Sequence, residues 1–177
     1  DLFLYVHMAI FLNDLFFPKT DPRTEELLAA FAFCSTYVFR PIGALIFGYI
    51  GDTIGRKSTV IITTGLMALS CVTMANLPTY AEIGIYAAYL VTAVRVVQGM
   101  ASMGEIIGAE VYVTEITKPP IQYPCVTMIA VCGVLGGTAA LAVASLVTAV
   151  GFNWRAAFWF GVTVATIGGA ARTRLRE

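Results

Sequence analysis

The chain has 177 residues, of which 58% are hydrophobic and 12% are charged, and its formal net charge at pH 7 is zero. With a mean hydropathy of +0.80, it is too apolar for an ordinary soluble domain. Its balanced charge gives no reason to expect a nucleic-acid partner. Long apolar runs between short polar clusters instead predict membrane-spanning segments, whose backbone must satisfy its own hydrogen bonds.

The apolar runs and the breaks between them predict six helices in chain order. The first break, over residues 18–26, contains two prolines and five charged residues, which lipid does not tolerate. The runs are longer than the roughly 10 residues of a barrel strand, so helices are favoured. We predict an all-α fold, a single integral membrane bundle over residues 1–177, with helices near 1–17, 27–50, 59–77, 83–113, 123–150 and 154–171.

The basic residues predict how this bundle lies in the membrane. If the first helix runs outward from the cytoplasm, more basic residues face inside than outside, as the positive-inside rule requires. The inner ones are Arg56, Lys57, Lys118, Arg172, Arg174 and Arg176, and the outer ones are Lys19, Arg23 and Arg155. Because the first residue already borders an apolar run, we expect no cleaved signal peptide and a chain that begins within its first helix.

The residues that usually carry metal or redox chemistry are sparse. Cys34, Cys71, Cys125 and Cys132 stand in apolar segments without paired spacing, which indicates packing residues and neither a metal site nor a disulfide framework. The only histidine, His7, could relay protons, although hydrogen-bonded packing is the commoner role of a lone histidine. No hydrolase or metalloprotease motif occurs, so we expect neither an enzyme nor a cofactor.

Ionisable residues inside the apolar runs are the candidate site residues, because each is costly at a helix centre unless it meets a partner or a polar interior. They are Arg40, Arg95, Glu105 and, less deeply, Asp14 and Glu110. Arg40 precedes Pro41, which predicts a kink in the second helix. Arg40 could anchor a substrate, or it could pair with Asp14, Asp1 or Glu105.

One polar stripe is predicted along the fourth helix, where Arg95, Gln98, Ser102 and Glu105 recur at helical spacing. Such a stripe fits a water-filled substrate path. In that path, Arg95 could bind a carboxylate and Glu105 could bind a cation or exchange a proton. Pairing of these groups with other helices is the alternative.

The second break contains a family motif. Gly48, Asp52, Gly55, Arg56 and Lys57 follow the spacing G-x-x-x-D-x-x-G-R-K, which resembles the loop between the second and third helices of the major facilitator superfamily. The resemblance implies that this loop is a latch that holds one conformation. Thr53 departs from the family, which usually has a basic residue there.

The resemblance extends over the rest of the chain. Arg95 to Gly99 reads R-x-x-Q-G and is followed by Gly104 and Glu105, a pattern similar to the fourth helix of the metabolite:proton symporters, and of their proline/betaine transporter group in particular. Ser102 and Met103 depart from the family's glycine-rich pair. The resemblance implies proton-driven symport of a small zwitterionic or carboxylate solute, with Arg95 and Glu105 near the path.

The same resemblance implies the partners and location of the protein. These are the solute, protons, the lipid bilayer and a second six-helix half that these 177 residues do not supply, in a multi-pass protein of the inner (plasma) membrane. Tyr5, Phe33 and Tyr37 could offer aromatic faces to a betaine-like osmolyte, with Glu105 as its counter-charge. A truncated, non-transporting remnant or a membrane interaction module is the alternative function.

Overall fold

The computed structural model describes residues 2–17, 22–150 and 153–173. Within these ranges the regular structure is entirely helical, and it comprises eight helical segments. They are α1 (Leu2–Phe16), α2 (Pro22–Val38), α3 (Arg40–Ile54), α4 (Arg56–Asn76), α5 (Tyr80–Ile83), α6 (Ile85–Ile116), α7 (Gln122–Val150) and α8 (Trp154–Arg172).

The predicted second helix, 27–50, is divided into α2 and α3 at Phe39. Pro41 has no backbone N–H, so one bond of the helical ladder is missing there. The ladder continues on both sides, because the Phe39 N–H donates to the Ser35 carbonyl at 3.1 Å and the Gly43 N–H donates to the Phe39 carbonyl at 3.0 Å. The break is therefore a kink within one long helical stretch.

The start of the predicted fourth helix, near residue 83, is also interrupted: the short helix α5 ends there and α6 begins two residues later. The one-turn helix α5 is capped by Thr79, whose backbone N–H donates to the Glu82 carboxylate at 2.9 Å. Gly84 then has a φ of +62°, which favours glycine and redirects the chain into α6. The long helix consequently begins at Ile85.

Helix α6 lies at the centre of the bundle and packs against α1, α2, α3, α4 and α7. Its glycines stand where neighbouring helices come closest. A Cβ atom on Gly99 would lie 2.3 Å from the Thr36 carbonyl oxygen, and one on Gly104 would lie 2.6 Å from the Phe47 ring. A Cβ atom on Gly43 of α3 would lie 2.5 Å from the Met100 backbone. Any larger residue at these positions would collide with the neighbouring helix.

An aromatic and aliphatic core joins α1 to the start of α8. Phe16 meets Trp154 edge to face at 5.5 Å between ring centroids, and Trp154 meets Phe158 in the same way at 6.0 Å. The Arg155 guanidinium donates to the Leu77 carbonyl at 3.2 Å, which connects the end of α4 to the start of α8. This end of the bundle is thus fixed by both apolar and polar contacts.

Four helical stretches of the described chain are long and apolar enough to cross a membrane. They are Glu26–Ile54, Arg56–Asn76, Ile85–Ile116 and Gln122–Val147. The first of these includes the kink between α2 and α3. The described parts of α1 and α8 are shorter, with 15 and 19 residues.

Substituting Gly99→Ala tests the close approach of α2 to α6. We expect the unfolding free energy to fall by about 1–3 kcal/mol, because the new methyl group forces the Thr36 backbone away. Thermal unfolding in detergent measures this change. Gly133→Ala on α7 is the matched control, since its Cβ would meet nothing within 4 Å. Equal effects of the two substitutions would contradict the packing.

Candidate functional site

Arg95 is completely buried in α6, and it is the largest fully buried side chain among the described residues. Its three guanidinium nitrogens have no hydrogen-bond partner in the described part of the chain. The guanidinium lies over the Tyr5 ring of α1, 3.6 Å from the ring centroid. A cation–π contact offsets only part of the cost of burying a charge. The N–H edges of this guanidinium therefore remain available to an anion.

Arg40 forms a second arginine–tyrosine stack beside the first. Its guanidinium lies 4.3 Å from the centroid of the Tyr37 ring, and its buried Nε has no hydrogen-bond partner among the described residues. Arg40 and Tyr37 both interact electrostatically with Arg95. The kink between α2 and α3, held against α6, brings these two stacks together.

Of the partners predicted for Arg40, Asp1 lies outside the described residues, and Asp14 is exposed on α1. Glu105 pairs with a different arginine. His7 is also exposed, and Glu110 is half-buried. None of these positions supplies a described ion pair to Arg40.

The middle of the predicted stripe is buried with Arg95. Gln98 is fully buried, and Ser102 is 8% exposed. The Ser102 hydroxyl donates to the Gly99 carbonyl at 2.9 Å, one turn earlier in the same helix. This local bond satisfies the hydroxyl in the apolar interior, as serine commonly does within helices.

Glu105 forms an ion pair with Arg172 in the last turn of α8. The Arg172 guanidinium also donates to the Thr64 hydroxyl of α4. Sequence reasoning did not identify Arg172 as a site residue, because it stands in a basic cluster that resembles a cytoplasmic stop. Its side chain points back by about one turn of α8, since a Cβ on Gly168 would lie 3.9 Å from an Arg172 nitrogen.

A cavity of about 340 Å³ lies beside this ion pair, between α1, α4, α6, α7 and α8. Its walls are mostly small or apolar, and they include Cys71, Gly136 and Gly161. Glu105 and Arg172 supply its charged groups. Arg95 does not line it, so the charged ends of the predicted stripe lie in different surroundings.

The candidate latch residues cluster where α3 meets α4. Gly55 has a φ of +110°, which favours glycine and allows the chain to turn between the two helices. Arg56 pairs with Asp52 at 2.6 Å and with Glu115 of α6 at 3.2 Å. A Cβ on Gly51 would lie 2.7 Å from an Arg56 nitrogen, so this glycine makes room for the guanidinium.

Gly48 and Lys57, the two remaining residues of the candidate latch, are not members of these ion pairs. Gly48 is half-buried in α3, and a Cβ there would meet nothing within 4 Å. Lys57 is half-buried at the start of α4. Glu115, which pairs with Arg56, is not part of the loop motif, because it lies 59 residues further along the sequence.

The fold and these charged clusters define a helical membrane protein with ionisable groups in its interior. The sequence matches the Major Facilitator Superfamily over residues 5–177. It is 34% identical to the Escherichia coli K12 protein YdfJ over 96% of this chain and 41% of that protein. It is 30% identical to the proline/betaine transporter of Salmonella typhimurium over 100% of this chain and 37% of that one. The chain belongs to the major facilitator superfamily.

The crystal structure of a D-xylose-proton symporter has a similar fold, with a TM-score of 0.81 at 18% identity. The match covers 99% of this chain and 46% of the symporter. It confirms the predicted all-α class and the six-helix bundle of the amino-terminal half of this fold. The chain spans about two fifths of the length of the curated relatives it matches.

A double-mutant cycle of Arg56→Gln and Glu115→Gln tests the tie between the loop and α6. We expect a coupling free energy of about 0.2–1 kcal/mol that disappears at high salt, because both groups reach solvent. The side chains of Arg56 and Glu115 are 21% and 52% exposed. Thermal unfolding measures the coupling, and Lys57→Gln replaces Arg56→Gln in the control cycle. Equal coupling in both cycles would contradict a specific pair.

Proposed function

We propose that the chain forms one of two six-helix bundles of a secondary active transporter. In this proposal the complete transporter takes up a small zwitterionic or carboxylate solute together with protons. The solute binds between the bundles, and alternating access exposes it to each side of the membrane in turn. Membership of the superfamily supports transport as the activity.

The observation that carries the proposal is the buried Arg95 guanidinium, which lacks a hydrogen-bond partner among the described residues. A permanent charge inside a membrane bundle is costly unless function requires it. A carboxylate could form two parallel hydrogen bonds with the open edge of this guanidinium. Arg40, Gln98 and Ser102 complete the proposed path around it.

Proton coupling is proposed for Glu105. Its carboxylate faces Arg172 at the edge of a cavity, so protonation would cancel the ion pair and leave the positive charge of Arg172 uncompensated. A proton bound at this position would therefore favour an anionic solute in the path. The name of the structural neighbour, a D-xylose-proton symporter, describes the same type of coupling in that protein.

The latch is proposed to act at the end of the bundle where α3, α4 and α6 meet. Gly48, Asp52, Gly55, Arg56 and Lys57 form it, and the contact of Arg56 with Glu115 holds the loop to the central helix. Breaking this contact would free one end of α3. The latch would then bias which conformation the transporter occupies.

We place the protein in the inner (plasma) membrane as a multi-pass component. Its relatives include proteins of Escherichia coli and Salmonella, and long apolar helices suit that membrane. The lipid bilayer and a second six-helix half would be its structural partners. The apolar residues exposed on α7 would meet one or the other.

Arg95→Gln tests the proposed path. Uptake of labelled proline, betaine and succinate is measured in proteoliposomes that hold the chain together with a second six-helix half. We expect kcat/KM for the transported solute to fall about 100-fold or more, because an anion loses its buried partner. Arg155→Gln is the control, since Arg155 contacts Trp154 and the Leu77 carbonyl. Unchanged uptake by Arg95→Gln would refute the role of Arg95.

The same vesicles test proton coupling. We expect accumulation of the solute only with an inward proton gradient and only when both halves are present. Collapsing the gradient with an uncoupler should abolish accumulation and leave exchange across the membrane. If no solute is taken up with any second half, the alternative of a non-transporting remnant or membrane interaction module is favoured.

A further inference from the structure

In the part of the chain that the structure describes, the negative charge of the predicted stripe has a partner of opposite sign, and the positive charge does not. Glu105 is engaged by Arg172, whereas Arg95 and Arg40 contact aromatic rings and have no carboxylate partner among the described residues. The stripe therefore lacks the balance of one positive and one negative charge that its sequence suggests. Its net charge near Arg95 is positive.

We propose that Arg172 is a positioning residue that sets the charge selectivity of the site. By neutralising Glu105, it leaves Arg95 and Arg40 as a cationic site that prefers dicarboxylates to zwitterions such as betaine. This inference rests on the proposed function, because it names the substrate class of the same site. Arg172 would then help to determine the substrate class, although Arg172 itself lies outside the stripe.

Arg172 acts at a distance, through the charge of Glu105. Glu105 is ten residues from Arg95 in one helix, or about 15 Å along its axis. A carboxylate at this distance in a poorly screened interior still repels an anion bound at Arg95. The positive charge of Arg172, placed directly against Glu105, cancels most of this repulsion.

The two arginine–tyrosine stacks favour the binding of a ligand with two carboxylate groups, one for each guanidinium. The guanidinium carbon lies 3.6 Å from the Tyr5 ring centroid in Arg95 and 4.3 Å from the Tyr37 ring centroid in Arg40. All three guanidinium nitrogens of Arg95 and Nε of Arg40 have no hydrogen-bond partner among the described residues, so they can donate to carboxylates. Tyr5 and Tyr37 each already use one ring face for an arginine. A quaternary ammonium group would therefore meet positive charge where it needs an aromatic or acidic partner.

The experiment compares the binding of succinate, butyrate and betaine by isothermal titration calorimetry. The protein is the chain assembled with a second six-helix half in nanodiscs, at constant ionic strength. For the wild type we expect succinate to bind more tightly than either butyrate or betaine. Betaine binding as tightly as succinate, or no binding of succinate, would overturn the inference.

Four variants separate the charge effect from a structural one. We expect Arg172→Gln to lower the ratio of succinate to betaine affinity about tenfold, because Glu105 is then uncompensated. Glu105→Gln should raise this ratio about as much. The double variant Glu105→Gln with Arg172→Gln, and the conservative Arg172→Lys, should keep the ratio of the wild type.

The ratio distinguishes the possible outcomes even when a variant is less stable. If Arg172→Gln merely loosens the bundle, both affinities fall together, the ratio stays constant, and the inference is wrong. If succinate binds with the expected pattern while the vesicles show no uptake, the site assignment holds and the proposed transport function fails. Uptake of betaine with a constant ratio would support transport and overturn the dicarboxylate preference.

Discussion

The close approach of α6 to α2 and α3 is the constraint on which the interior of this bundle depends. Gly99 and Gly43 bring backbones together where any side chain would collide. Arg40 lies on α3 between these two contacts, and Arg95 lies one turn before Gly99. The two arginines are thus held near each other by the surrounding packing, despite their mutual repulsion.

Inside a membrane bundle, an ionised side chain is costly unless it has a partner. Glu105 and Arg172 form an ion pair between α6 and α8, and Arg172 also donates to the Thr64 hydroxyl of α4. Arg95, by contrast, lies against an aromatic ring and has no hydrogen-bond partner within the described part of the chain. A bundle that maximised stability would pair or remove such a cation. Its position in the interior is the observation on which the proposed binding of an anionic solute depends.

Sequence reasoning captures features that are local or periodic. The apolar runs mark α7 and α8 clearly, because Pro and Gly-Asn breaks flank long uninterrupted segments. The loop motif likewise locates Asp52 and Arg56, which are neighbours in one turn. The partner of Glu105 could not be found in this way. Arg172 lies on another helix, and only the relative placement of α6 and α8 determines their contact.

Helices α4 and α8 are connected at two heights along their length. Near one end the Arg155 guanidinium binds the Leu77 carbonyl, and toward the other Arg172 binds the Thr64 hydroxyl. Sliding one helix past the other by a single residue, about 1.5 Å, would stretch both bonds at once. The two hydrogen bonds therefore oppose sliding of α8 along α4. In any conformational change of the bundle, we expect α4 and α8 to move together as one rigid unit.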